Sequence, residues 1–219
     1  MAENPHRESN NDQSPYERIK RGILDGSFPP GVPLVEATLA ELCGVSRTPI
    51  REALNRLERD GVVKRTDRGM AVRERTPEEI LDIYEARIAL EATAARIAAL
   101  RHTHLDQVRM ERLIKLCEES DPSDGQVLAD RNREFHRGVW HASHNHAVID
   151  LLDRLDLHLL RYPVTTLTAP GRWEQALREH RLLLDAIVAR DAESAKKIAE
   201  GHFTTARDIR LALWEQSIV

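Results

Sequence analysis

At 219 residues with 41% hydrophobic content, the chain can supply two modest domains with a core each, and its two cysteines, Cys43 and Cys117, exclude a disulfide framework or CxxC site. No apolar run approaches the length of a membrane span and the polar start lacks a signal-peptide core, so a cytoplasmic protein without membrane association is expected. The net charge of −4 does not advertise nucleic-acid binding, yet residues 44–75 carry nine Lys or Arg against five Asp or Glu, a local excess able to meet phosphate.

Residues 1–13 are polar and are expected to form a disordered tail. Ser14-Pro15 reads as an N-cap followed by proline at the first helical position, and Ile19, Ile23 and Leu24 give the helix its apolar stripe up to Gly26. Residues 28–33 (FPPGVP) read as a turn. A short helix follows at about 36–42, ended by Gly44. Ser46 is expected to cap the next helix, from Arg47 to about Asp60. Two helices joined by a tight glycine-containing turn are a helix-turn-helix pattern. After Gly61 the period changes: 62–65 and 70–73 read as strands around Asp67-Arg68-Gly69, a hairpin wing. Thr76-Pro77-Glu78-Glu79 then opens a helix with a capping box, so the domains are expected to be 14–75 and 76–219.

Beyond residue 76 only helical stripes occur, at about 77–101, 104–119, 124–143, 146–162, 172–190 and 192–215. Ser123-x-x-Gln126 and Asp191 are read as helix starts, and Ala169-Pro170-Gly171 as a break. The fold class is mainly α: a winged helix-turn-helix followed by an all-helical bundle.

The stretch 39–54 (LAELCGVSRTPIREAL), continued through 56–63 (RLERDGVV) and the Gly69 wing, closely resembles the helix-turn-helix of GntR-family transcription factors. The resemblance covers roughly residues 15–73 and implies binding to double-stranded operator DNA. Ile50, Ala53, Leu54 and Leu57 form the buried face, which leaves Arg47, Thr48 and Arg51 outward. Arg47 and Arg51 share a face and can pair with guanine O6 and N7 or with phosphate. Alone, two such arginines would read as an ordinary solvated face. Ser46 and Thr48 can donate to phosphates, Lys64, Arg65 and Arg68 supply charge near the wing, and Gly69 admits close backbone approach. Several family members carry an arginine where this chain has Ala37, so one DNA contact is expected to be missing.

Residues 77–215 resemble the FCD effector domain of the FadR branch of that family. The resemblance rests on 84–91 (YEARIALE), 132–136 (NREFH), Glu179-His180 and His202. It implies a homodimeric helical bundle, a divalent metal, with zinc and nickel as candidates, and a small organic-acid effector. Helical periodicity independently centres His136, His180 and His202 on the apolar stripes of three helices, with Asn132 beside His136. Each histidine alone reads as a satisfied core residue; the three together with the family resemblance point to a metal site. Relatives usually have aspartate at Asn132, and an amide is a neutral, poorer ligand. His102, His104, His141, His144 and His146 are expected to be solvated at helix ends, and His158 could line the cavity. Arg87 and Glu91 read either as a buried ion pair or with Arg87 as an effector contact.

The leading function is ligand-controlled transcription. A metal-dependent enzyme, with three histidines activating water, and a direct metal sensor are the alternatives. No paired carboxylate or nucleophile motif supports the enzyme, and it leaves the recognition helix unexplained.

Overall fold

Helix α1 (Pro15–Leu24) starts where proline can occupy the first turn at no cost in hydrogen bonds, with the Ser14 hydroxyl accepting from Glu17 N–H. The computed structural model describes residues 14–159 and 165–217, so the 1–13 tail lies outside the described residues. Contacts divide the chain after Glu74 into two compact units.

In the first unit, α2 (Glu36–Cys43) ends at Gly44 in the left-handed region, φ +68°, and α3 (Arg47–Arg59) follows. The two pack with α1 around Ile19, Ile50, Leu54 and Leu57, all buried. Strands β1 (Val63–Thr66) and β2 (Gly69–Val72) pair antiparallel, with Thr66 opposite Gly69. The register is the one the expected strands imply, and each strand reaches one residue further toward the turn, where the Thr66 hydroxyl accepts from Arg68 N–H and donates to Gly69 O. Gly69 has φ +109°, a conformation that favours glycine. Residues 28–33 are more than a turn: Pro33 bridges Ala71, and Val32 O accepts from Val72 N–H. Proline is tolerated there because the segment lies at a sheet edge.

The second unit contains α4 (Pro77–Arg101), α5 (His104–Glu118), α6 (Gly125–Ala142), α7 (His146–Leu159), α8 (Arg172–Val188) and α9 (Ala192–Ser217), with a 3-10 turn at Thr166–Thr168. The Thr76 capping box forms as expected. Asp124, rather than Ser123, caps α6 by accepting from Gln126 and Val127 N–H, while Ser123 bonds to Asp121. A carboxylate at a helix N-terminus also meets the macrodipole, which favours it over serine. Small residues on α4 (Ala92, Ala94, Ala95, Ala98, Ala99) are buried and let neighbouring helices, α9 among them, approach closely. The main core joins Met110, Ile114, Phe135, Val139, Leu184 and Ile187. Each such side chain contributes about 1.5–3 kcal/mol by leaving water. Cys43 and Cys117 are buried free thiols. No helix among the described residues is long and apolar enough to cross a membrane.

Candidate functional site

On the first unit, α3 buries Ile50, Ala53, Leu54 and Leu57 and leaves Arg47, Thr48 and Arg51 exposed. Ser46, Lys64, Arg65, Arg68 and Gly69 are exposed as well. Ser46 holds the cap position of α3, but its side chain makes no cap bond. The physical reason is Pro49 at the third helical position: the N–H that a cap side chain commonly reaches is absent. The arginines are not equivalent. Arg51 donates from Nε and Nη2 to both carboxylate oxygens of Glu36, at 3.1 and 2.9 Å. Arg65 does the same to Glu58, at 3.4 and 3.1 Å. The Arg47 side chain makes neither a hydrogen bond nor an ion pair with any described residue.

In the second unit, α6, α8 and α9 bring His136, His180 and His202 together in the interior, each at most 4% exposed. Their ligating nitrogens lie within 4.8 Å of one another, with His136 Nε2 at 3.1 Å from His202 Nε2 and 3.3 Å from His180 Nε2. Two nitrogens bound to one ion at about 2.0–2.1 Å would lie about 2.9–3.4 Å apart, a range that holds both separations from His136 Nε2. Burial pushes the His136 and His180 rings well below the ordinary 6.5, and neighbouring cationic groups add to the shift. His202 is lowered by burial against the opposing pull of Glu179. All three rings are therefore neutral near pH 7, the state that can ligate a metal.

Glu179 fixes the tautomer of His202. Its Oε2 lies 2.6 Å from His202 Nδ1, which assigns the ring proton to Nδ1 and leaves Nε2 as a lone pair. Burial alone would raise the Glu179 carboxyl, but bonds from His202 and Arg172 overcome it and bring it down to about 2. Arg172, 2% exposed, donates to Glu179 at 2.8 Å and to the His202 carbonyl at 3.3 Å. With His202 Nε2 a lone pair, a neutral trio can satisfy both short contacts only through a shared His136 Nε2–H. The His180 proton then sits on Nδ1, a buried atom without a partner. Asn132 Oδ1 is likewise buried and without a partner. The His180 and His202 lone pairs face this one His136 proton, and with it moved to His136 Nδ1 three lone pairs would be free for a cation, which an orphaned buried amide oxygen also suits.

Beside this cluster lies a cavity of about 130 Å³, lined in part by Asn132 and His202. Arg87, Arg133, Arg172 and Arg210 also line it, against one carboxylate, Asp156. Arg87 is the expected buried ion pair, Nε to Glu91 Oε1 at 3.2 Å, and also reaches Asp156 at 3.6 Å and the Phe203 ring. Glu91 Oε2 accepts from Trp140 Nε1 at 2.7 Å, and burial raises its carboxyl to about 7 against the pull of Arg87 and Trp140.

Several histidines depart from expectation. His102 is buried, not solvated: as the C-cap of α4 it turns its Nδ1 to Ala98 O, which also accepts from the His102 backbone N–H. His144 is exposed but bonds to Asp106 at 2.8 Å. His158 contacts Arg75 at 3.0 Å instead of lining the cavity. Sequence reasoning missed Arg172 and Asp156. The available signal for Arg172 was a cation in the first turn of α8, where the macrodipole disfavours one and a tertiary partner must compensate.

Residues 13–72 match the family described as bacterial regulatory proteins, gntR family, and residues 82–205 match the FCD domain. An uncharacterized HTH-type transcriptional regulator of Bacillus subtilis, YdhC, is 33% identical over 86% of this chain and 85% of its own length. A putative L-lactate dehydrogenase operon regulatory protein of Escherichia coli is 29% identical over 86% of this chain and 81% of its own. The E. coli McbR/YncC structure shares the fold, with a TM-score of 0.75 at 22% identity, covering 91% of this chain and 96% of that one. The relatives are regulators rather than enzymes, and the chain belongs to the GntR family as an FCD-bearing, DNA-binding transcriptional regulator.

Proposed function

We propose that this regulator works as a cytoplasmic homodimer whose second unit binds a small organic acid beside a divalent metal, and that this ligand controls operator binding. The observation that carries the reading is the meeting of three neutral imidazoles beside an arginine-lined cavity that His202 and Asn132 border. His136, His180 and His202 would hold the ion, with Asn132 as a weak fourth donor, and zinc and nickel both suit imidazole ligation. The ion would supply a positive charge that four neutral side chains leave almost undiminished. The chain's own residues do the rest: Arg172 and Glu179 orient His202, while Arg87, held by Glu91 and Asp156, offers its remaining donors to a carboxylate.

On the DNA side, Arg47 and Arg51 would contact bases, Ser46 and Thr48 phosphates, and Lys64, Arg65, Arg68 and the Gly69 backbone the flanking duplex. Two α3 helices of a dimer would address a palindromic operator.

Elemental analysis of protein purified without chelator, followed by calorimetric titration with carboxylates, tests the ligand reading. L-lactate and related hydroxy acids head the panel, following the name of the E. coli relative. One equivalent of a divalent metal and carboxylate binding that disappears on chelation are expected. Carboxylate binding that survives complete metal removal would leave the histidines as direct ligand partners. Operator release by metal alone would make the protein a metal sensor.

A further inference from the structure

The pairing of Arg51 divides the labour among the arginines of the DNA surface. Arg51 is four residues beyond Arg47 on the same exposed face of α3, yet only Arg51 is engaged. Glu36, in the first turn of α2, takes the side-on edge of its guanidinium through Nε and Nη2. The pair joins residues fifteen apart in sequence and on different helices, with Arg51 65% and Glu36 35% exposed at the side chain. As a source of stability such a surface pair counts for little. As a geometric restraint it is strong, because two parallel bonds fix the plane and rotation of the guanidinium.

A guanidinium has five N–H donors in a planar fork. With the side-on edge occupied, the end-on pair from Nη1 and Nη2 remains, and its spacing matches guanine O6 and N7. The carboxylate also cancels the arginine's net charge, which weakens its attraction to phosphate anywhere along the duplex. Arg47 feels the same carboxylate only through space, without a bond to it, so its guanidinium stays free to turn toward phosphate.

We propose that Glu36 is a positioning residue for base recognition: it orients Arg51 end-on toward a guanine and withholds its charge from the phosphate backbone. The inference rests on the reading of Arg51 as a base contact. It assigns Arg51 to specificity and leaves Arg47 available to phosphate as well as bases.

The test uses the full-length protein and a random double-stranded library, from which wild type, Glu36→Gln and Arg51→Ala each select duplexes. Binding of the wild-type consensus, its single-base variants and an unrelated duplex is then measured over a range of salt. Wild type should prefer guanine at one position per half-site, and Arg51→Ala should lose that preference. Glu36→Gln should lose about 5- to 20-fold of it, part of the discrimination a bidentate contact supplies, while preferences at other positions persist. The same variant should bind the unrelated duplex more tightly, with a salt slope steeper by about 0.9 per protomer, because one more charge can reach phosphate. A general structural weakening would not move one base position alone. Glu36→Gln keeping the preference that Arg51→Ala abolishes would overturn the proposal while sparing the role of Arg51. An Arg51→Ala variant with unchanged preferences would remove the underlying reading too. Tighter operator binding by Glu36→Gln with its guanine preference intact would make Glu36 a restraint on binding and overturn the positioning role.

Discussion

Acidification of the metal-free protein should destabilise the second unit by an amount set by the buried histidines. His136 and His180 sit well below 6.5 in the folded protein, so on falling pH the unfolded chain takes up protons that the folded one refuses. Stability is thus fully present above the unfolded value and is lost as pH falls below it. Integrated from about pH 7.5 to about pH 5.5, each ring that stays neutral in the fold removes about 1.4 kcal/mol, or about 2.7 kcal/mol for the two. His202 contributes a smaller loss, since Glu179 opposes its shift. Glu91 acts in the opposite sense: its folded carboxyl, raised to about 7 from 4.5, takes up a proton within the same window. That offsets much of the loss, leaving a net loss on the order of 1 kcal/mol in wild type. All three tryptophans, Trp140, Trp173 and Trp214, belong to the second unit, so fluorescence-monitored urea unfolding reports on it selectively. With chelator present, His136→Gln and His180→Gln should each reduce the acid-induced loss by about 1.4 kcal/mol, and Glu91→Gln should enlarge it. An unchanged pH dependence in the His136→Gln/His180→Gln double variant would refute the claim that these rings are held neutral by burial.

Other outcomes follow from the same geometry. Asn132→Asp should tighten metal binding and weaken carboxylate binding, since the added charge neutralises part of the ion, and calorimetry separates the two effects. Glu179→Gln should cost about 10- to 100-fold in metal affinity, measured by competition with a chromogenic chelator, because His202 loses the carboxylate that orients it. Metal retention should persist below the ordinary histidine value of 6.5, since the depressed rings resist the protons that compete with the ion; a pH series with elemental analysis checks this. Lys64→Ala and Arg68→Ala should weaken all duplexes alike, each flattening the salt slope by about 0.9 as one phosphate goes unneutralised, with no change in base preference.

The fold was legible where local chemistry decides it. Pro15 and Pro77 after hydroxyl caps, Gly44 at a left-handed position and the stripes on α3, α6, α8 and α9 announce their elements directly. The burial of His136, His180 and His202 was legible for the same reason, since a polar residue centred on an apolar stripe must face the interior. What the sequence concealed is long-range pairing. Glu36 is fifteen residues from Arg51, Asp156 lies on a different helix from Arg87, and Arg172 reaches His202 across thirty residues, so no periodicity links these partners. The 3-10 turn at Thr166–Thr168 is too short to leave a pattern. Residue type alone makes Ser46 read as a bonded cap, whereas Pro49, two residues beyond the helix start, removes the N–H it would meet. The segment 28–33 looks like a turn because its pairing with β2 is an edge contact that proline tolerates.

Control of DNA binding by an anion at a histidine-held ion is decided by one titration. A duplex selected by the wild-type protein is titrated with and without a carboxylate found by calorimetry, before and after chelation. The carboxylate should change duplex affinity in metal-loaded wild type, and the change should vanish on chelation and in His136→Gln/His180→Gln. A carboxylate effect of equal size after complete metal removal would contradict control through the ion.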